Sequence, residues 1–160
     1  MVILSAKVKK DEITADGKLF YQMVSELGGK QVRIGFQRGE AEHDGVDMVD
    51  IAMWNELGTS RSPSRPFLRQ SVDNNKQRIV SFFKSRIKKM LVTAAPAEQI
   101  LKEIGIFQKG LIQKTIRDGE FAPNAPSTIK RKHSEHPLID TGRMRQSVNY
   151  IIKAKGEGDD

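Results

Sequence analysis

Two long amphipathic stretches occupy the middle of this chain, at about residues 66–92 and 96–119, and only Thr93, Ala94 and Ala95 stand between them. In the first, Leu68, Val72, Ile79, Phe83, Ile87 and Met90 fall along one side of a helix. Arg69, Arg78, Lys84, Arg86, Lys88 and Lys89 crowd the remaining surface. In the second, Ile100, Ile104, Phe107 and Leu111 recur at the spacing of an apolar helical stripe. Pro66 and Pro96 suit first helical positions, and Gly119 ends the second helix. So short a connection predicts that the helices fold back on each other as an antiparallel hairpin.

The flanking sequence supplies strands for that hairpin to cover. Val32, Ile34 and Phe36 alternate with polar or small residues, as do Val148, Tyr150 and Ile152 within residues 146–153. Pairing these two segments predicts a small antiparallel sheet against the hairpin, and an α+β fold for residues 1–160 as one domain. Asp16 is a candidate N-cap for a short helix through Leu19, Phe20, Met23, Val24 and Leu27, stopped by Gly28-Gly29. Residues 2–10 alternate weakly, as a strand or as an arm (residues 1–12) that orders on assembly; residues 155–160 are expected to fray. Residues 37–45 read as a loop. Residues 46–57 read as a helix with Val49, Ala52, Met53 and Leu57 at helical spacing, stopped by Gly58. The Ser- and Pro-rich segment 59–66 is a turn. Residues 120–140, with Pro123, Pro126 and Pro137, form a long extended connection in which Ser127 is placed to cap a short helical turn.

Charge narrows the partners. Residues 1–59 carry −3, residues 60–119 carry +9 and residues 120–160 carry +1. A basic middle behind an acidic front suits head-to-tail docking of subunits, a nucleic-acid path, or merely a solvated Lys/Arg surface. No run approaches the roughly 20 apolar residues of a membrane span, and the start lacks the residue order of a secretory signal, so a cytoplasmic site of synthesis is expected. The chain has no cysteine, which removes disulfides and thiolate chemistry.

No motif compels catalysis. Ile139-Asp140-Thr141-Gly142 resembles the active-site turn of retroviral-type aspartic proteases, which need two carboxylates sharing a proton. Only 18 residues follow Gly142, too few for flaps and a cleft, and the next residue is the cation Arg143. The ordinary reading is a turn at the start of a helix or strand. His133 and His136 sit at i, i+3 before Pro137, a poor match to the i, i+4 spacing of helical metal ligands, and His43-Asp44 is weaker. Lys130-Arg131-Lys132 and Lys88-Lys89 are placed to touch phosphates, without the clustered aromatics that base stacking requires. The expectation is therefore no enzyme, no cofactor and no metal. Trp54, the single tryptophan, is expected as a core residue or an inter-subunit anchor.

Two segments carry a family resemblance. The first runs Asp50-Ile51-Ala52-Met53-Trp54-Asn55-Glu56-Leu57-Gly58-Thr59 and continues at Pro63-Ser64-Arg65-Pro66-Phe67-Leu68-Arg69. The second runs Ala125-Pro126-Ser127-Thr128-Ile129-Lys130-Arg131-Lys132 and continues at Pro137-Leu138-Ile139-Asp140-Thr141-Gly142-Arg143-Met144-Arg145-Gln146-Ser147. In this order, with a helical stretch between, they resemble the signatures of phage tail-completion proteins, also called neck or virion-morphogenesis proteins. The Mu-like morphogenesis proteins and, more distantly, the minor tail protein Z of lambda-like phages share them. Glycine often follows the Arg-Lys pair in that family, where His133 stands here, and tryptophan often stands where this chain has Phe121.

The resemblance implies a structural virion protein made in the host bacterial cytoplasm. It would be a subunit of a homo-oligomeric ring, typically a hexamer, at the head-proximal end of a long tail. Its partners would be the tail terminator or tail tube protein and the head connector, with non-specific contact to DNA in the lumen. Two interface regions follow: Trp54, Glu56, Arg65, Phe67 and Arg69 in one, and Lys130, Arg131, Lys132, Asp140, Arg143 and Arg145 in the other. An ion pair from Glu56 to Arg65 or Arg69 is expected to fix the turn. Charge reversal at Arg65 is expected to leave the fold intact and block assembly. The alternative reading is a small basic nucleic-acid-binding accessory protein.

Overall fold

A computed structural model describes residues 8–9 and 12–157, and its architecture is α+β. In chain order the elements are β1 (Val8–Lys9), β2 (Glu12–Ile13), α1 (Ala15–Gly28), β3 (Lys30–Gly35), β4 (Glu42–His43), β5 (Val46–Asp47) and α2 (Met48–Leu57). Then follow α3 (Phe67–Asp73), α4 (Lys76–Thr93), α5 (Ala97–Asp118), α6 (Pro126–Lys132), α7 (Arg143–Ser147) and β6 (Asn149–Ala154). Most of an arm at residues 1–12, and the last three residues of the expected frayed tail, lie outside the described residues. Val8–Lys9 pairs antiparallel with Glu12–Ile13.

Contacts divide the chain into two compact units. One holds the described residues within 8–33, 77–107 and 151–157; the other holds 34–76 and 108–150.

The first unit is built on the hairpin of α4 and the start of α5. Its turn uses Ala94 at φ +52. The antiparallel sense shows in the side chains: Glu103 takes hydrogen bonds from Lys89 Nζ at 2.6 Å and Arg86 Nη1 at 2.8 Å. Further from the turn, Phe82 and Phe107 stack at 4.0 Å. Met90, Ile100 and Ile104 form the core with Met23 of α1, and Val32 of β3 packs against it. Strand β3 pairs with β6, and beyond the strands Lys155 N–H donates to the Gly29 carbonyl at 2.8 Å. Thr14, not Asp16, caps α1: its hydroxyl accepts from Gly17 N–H at 3.2 Å, and Asp16 lies within the first turn. Gly29 closes that helix in the right-handed region rather than the left-handed one.

The two cations around Glu103 hold its carboxyl down at about 2, from an ordinary 4.5, with the Lys89 hydrogen bond the larger cause and Arg86 the next. A folded-state value below the unfolded one stabilises the unit above about pH 4.5, and that contribution is lost as pH falls toward 2. Acid unfolding followed by circular dichroism should therefore show a steep loss in that window, shallower in Glu103→Gln. An identical acid profile for the two proteins would remove Glu103 as its source.

The second unit departs further from expectation. The continuous helix expected over about 66–92 is two helices, α3 and α4, interrupted at Asn74-Asn75. Asparagine competes with helical hydrogen bonding through its side chain, and Asn75 Nδ2 donates to the Ser71 carbonyl at 3.0 Å. The chain passes from one unit to the other at this point, between residues 76 and 77. Pro66 occupies the N-cap of α3 rather than its first turn. The expected loop at 37–45 contains half of a hairpin: β4 and β5 pair antiparallel across Asp44 and Gly45, at φ +52 and +76. Two successive positive φ angles match the tight hairpin turn for which Asp-Gly is a favoured pair. Helix α2 accordingly starts at Met48 rather than Val46, capped by Asp47, whose carboxylate accepts from Val49 N–H at 2.8 Å. Helix α6 starts after Ala125 with Pro126 in its first turn and no side-chain cap, so Ser127 lies inside it. Gln146 and Ser147, expected in the last strand, belong to α7.

Candidate functional site

The core of the second unit joins the two segments that carry the resemblance. Ala52 and Phe67 from the first pack with Leu138 and Met144 from the second, together with Met48, Val148, and Ile112 and Ile116 of α5. Phe67 is 0 % exposed and meets the Phe36 ring edge-on at 5.9 Å. Expected at an interface, Phe67 is enclosed in the core of its own unit.

The polar framework begins where α2 ends. Gly58 leaves the helix at φ +80 and ψ 174, and its N–H returns to the Trp54 carbonyl at 2.9 Å. The next two free carbonyls are met by the turn that follows: Asn55 accepts from Arg65 N–H at 2.6 Å, and Glu56 accepts from the Ser64 hydroxyl at 2.7 Å. A helix end leaves such carbonyls without helical partners, so the turn completes the helix.

The Glu56 side chain reaches forward. Its two oxygens accept from Leu68 N–H at 2.8 Å and Arg69 N–H at 3.1 Å, the first turn of α3. Pro66 at the N-cap has no side-chain acceptor, and Glu56 supplies the missing one from a distance, with the negative charge at the favourable end of the helix. The expected ion pair from Glu56 to Arg65 or Arg69 is therefore replaced by hydrogen bonds to backbone. Glu56→Gln keeps one acceptor oxygen and loses the charge, so it should lower stability by about 1 kcal/mol, measured by urea unfolding. No change in the midpoint would show the cap to be dispensable.

Arg65 is 7 % exposed. Its Nε donates to the Ala122 carbonyl at 2.8 Å, and Nη2 donates to the Pro123 carbonyl at 3.1 Å and to Asn124 Oδ1 at 3.2 Å. Asn124, also buried, passes the tie onward by donating to the His136 carbonyl at 3.1 Å. Burial lowers the Arg65 pKa, and neutral oxygens rather than a carboxylate hold the charge. Arg65, expected at an interface, thus clamps the long connection from within the unit. Charge reversal there would break the fold as well as any assembly, contrary to the expectation from sequence.

The second expected region is divided. Asp140 Oδ2 lies 3.6 Å from His43 Nε2, and Arg143 Nη1 donates to the Glu42 carbonyl at 3.3 Å, so the turn before α7 is anchored on the β4–β5 hairpin. Gly142, at φ +79, is the N-cap of α7, so Asp140-Thr141-Gly142 forms a helix-entry turn. Arg131, Lys132, Asp140 and Arg143 line one pocket of about 460 Å³ over Met48 and Leu138. Lys132 is half-buried there; burial pushes its pKa down, opposed by Asp140 and reinforced by Arg65 and Arg131. Lys130 is exposed on α6, and Arg145 lines a separate groove beside α5. His133 ends α6 at φ +53, the left-handed conformation that glycine adopts most easily.

Trp54 is 47 % exposed, which excludes the core reading, and Arg69 is exposed as well. Met53 and Leu57, expected to face inward, are exposed beside Trp54 on α2 at 47 % and 64 %. Helix α2 carries apolar residues on every side, so spacing alone did not identify the covered face. Arg38 escaped notice in the sequence; it holds Asp50 through two hydrogen bonds, at 2.9 and 3.2 Å. The pair brackets a hairpin whose Asp-Gly turn was the available signal. Among the described residues, no group of three or more His, Asp or Glu side chains is placed to hold a metal ion, and no helix is long and apolar enough to cross a membrane.

No family model, no curated protein and no solved structure matches this chain.

Proposed function

We propose that this protein is a tail-completion (neck) subunit of a long-tailed phage or prophage. It acts as one member of a homo-oligomeric ring, six-fold in the family it resembles, that closes the head-proximal end of the tail and meets the head connector. The observation that carries this reading is the exposed apolar face of α2, formed by Met53, Trp54 and Leu57. The rest of that helix end is engaged within the fold: the Trp54, Asn55 and Glu56 carbonyls by Gly58 and the turn, the Glu56 carboxylate by α3 and the buried side by the core. A helix that is apolar all round and covered on one side leaves a second face for a partner. A half-exposed tryptophan flanked by methionine and leucine has the composition of an interface anchor.

The remaining polar residues give no comparable support for catalysis. Glu56 and Arg65 are engaged in structure, and in the pocket at Asp140 both Asp140 and Arg143 are tied to the β4–β5 hairpin.

Trp54→Glu is the test. The variant should keep its circular dichroism spectrum, lose the oligomer in light scattering, and fail to complement a phage deleted for the gene. Electron microscopy of those lysates should show full heads beside unattached, full-length tails. Intact virions would reject the reading, and missing tails would place the protein earlier in tail construction.

A further inference from the structure

We infer that the pocket over Met48 and Leu138 is a binding site for a small organic monocarboxylate with an apolar body. Its volume of about 460 Å³ falls among those of small-molecule sites, and its lining lies wholly within the second unit. The floor is apolar: Met48 and Ile51 of α2, with Leu138 and, from α7, Met144. The charged lining comprises Arg131, Lys132 and Arg143 with Asp44 and Asp140, and His43 stands among them.

The two signs of charge are unequally satisfied. His43 Nε2 lies 3.6 Å from Asp140 Oδ2 and 3.7 Å from Asp44 Oδ2, so each carboxylate has a polar neighbour. Arg143 is held on the Glu42 carbonyl. The side chains of Arg131 and Lys132 make no hydrogen bond and no ion pair among the described residues. Lys132 is nevertheless half-buried, and an ammonium withdrawn from water without a partner is unfavourable. Its pKa is lowered, first by burial; Asp140 opposes this from beyond ion-pair distance, and Arg65 and Arg131 add to the lowering. The net direction is down, so Asp140 does not compensate the charge. Glu103 is the contrast, since it meets Lys89 and Arg86 directly at 2.6 and 2.8 Å. His43 adds a second unmet group to the pocket: its Nδ1 is buried without a hydrogen-bond partner.

The lining decides the class of ligand. Counted with a neutral His43, three cations face two carboxylates, so a single negative charge completes the balance. A carboxylate brings that charge with two oxygens, one for each unpaired cation. A phosphate dianion would set a second charge against Asp140. Among the described residues no group of three His, Asp or Glu side chains is placed to take a metal ion instead. The four floor residues call for an apolar body behind the carboxylate.

The inference goes beyond the proposed assembly role and does not depend on the exposed face of α2. Full-length protein with isotope-labelled methionine methyl groups, titrated with phenylpropionate, is expected to shift the Met48 and Met144 resonances. Those of Met23 and Met90, in the other unit, should stay in place. The amide of the same acid keeps the body and loses the charge, so in calorimetry it should bind about tenfold more weakly or worse. K132Q should lose a similar factor for the acid and K132R should retain most of the affinity. K114Q, which removes the same charge from α5, should match the wild type. K132Q should also keep the wild-type mass in light scattering, which separates loss of the ligand from loss of assembly. No shift at Met48 and Met144, shifts as large at Met23 and Met90, equal affinity for the amide, an equal loss in K114Q, or tighter binding of inorganic phosphate would each overturn the assignment. Loss of the oligomer in K132Q would overturn it too, by placing Lys132 at a subunit contact.

Discussion

Replacing Gly58 by alanine is expected to lower stability by about 3–5 kcal/mol, and the melting temperature by about 6–20 °C at roughly 2–4 °C per kcal/mol. Two costs combine. At φ +80 and ψ 174 the backbone lies in a region that is essentially restricted to glycine. A Cβ there would also stand 2.7 Å from Ser64 N and 3.1 Å from the Ser62 carbonyl. Both are backbone atoms of the turn, so no side chain can rotate away. Relief requires moving the segment that carries Ser64 and Arg65, which would release the carbonyl caps of α2 and the clamp on the long connection together. Differential scanning calorimetry measures the effect. A melting temperature within about 1 °C of wild type, less than 1 kcal/mol on this scale, would mean that the turn is far softer than its geometry implies.

Arg65→Ala is the second large effect, expected at about 3–4 kcal/mol. The substitution leaves the Ala122 and Pro123 carbonyls and Asn124 Oδ1 without their donor, and a charge-assisted hydrogen bond contributes about 1.5–3 kcal/mol each before non-additivity. Arg65→Lys keeps the charge but lacks the planar fork that meets three oxygens at once, so it should recover only part of the loss. Limited proteolysis should locate the damage, with cleavage in residues 120–137 accelerated in the alanine variant. If Arg65→Ala unfolded at the wild-type denaturant concentration and only assembly failed, the arginine would be an interface residue after all.

These two residues show what the sequence disclosed and what it withheld. Both belong to segments that stand out by motif, and both were expected to matter. For Gly58 the role as a helix stop was legible, because a glycine after an apolar helical run has a local cause. For Arg65 it was not. Whether an arginine turns outward to a neighbour or inward to carbonyls some 57 residues away depends on which loop lies beside it, and no local pattern encodes that. The same holds for Glu56, whose donors were expected to be arginine side chains and are backbone amides.

Local rules worked where the cause was local. The α4–α5 hairpin, the β3 strand, the stop at Gly58 and the α+β class followed from spacing, short connections and glycine placement. They failed where two local preferences competed, as at Asn74-Asn75, or where a recognised signal was passed over, as at Asp44-Gly45. Orientation was a separate matter. Helix α2 is apolar on all sides, so only the packing of Met48 and Ala52 against Phe67 and α5 revealed that Met53, Trp54 and Leu57 remain uncovered. Likewise Lys114, Arg117 and Arg145 are scattered along the sequence and face one groove only because α5 and α7 meet. The sequence by itself determined the long central helices, the two main strands, their order and the residues with something at stake. Tertiary structure decided which of those residues spend their hydrogen bonds and apolar area inside the fold and which leave them exposed, because burial and pairing depend on neighbours that are distant in the chain.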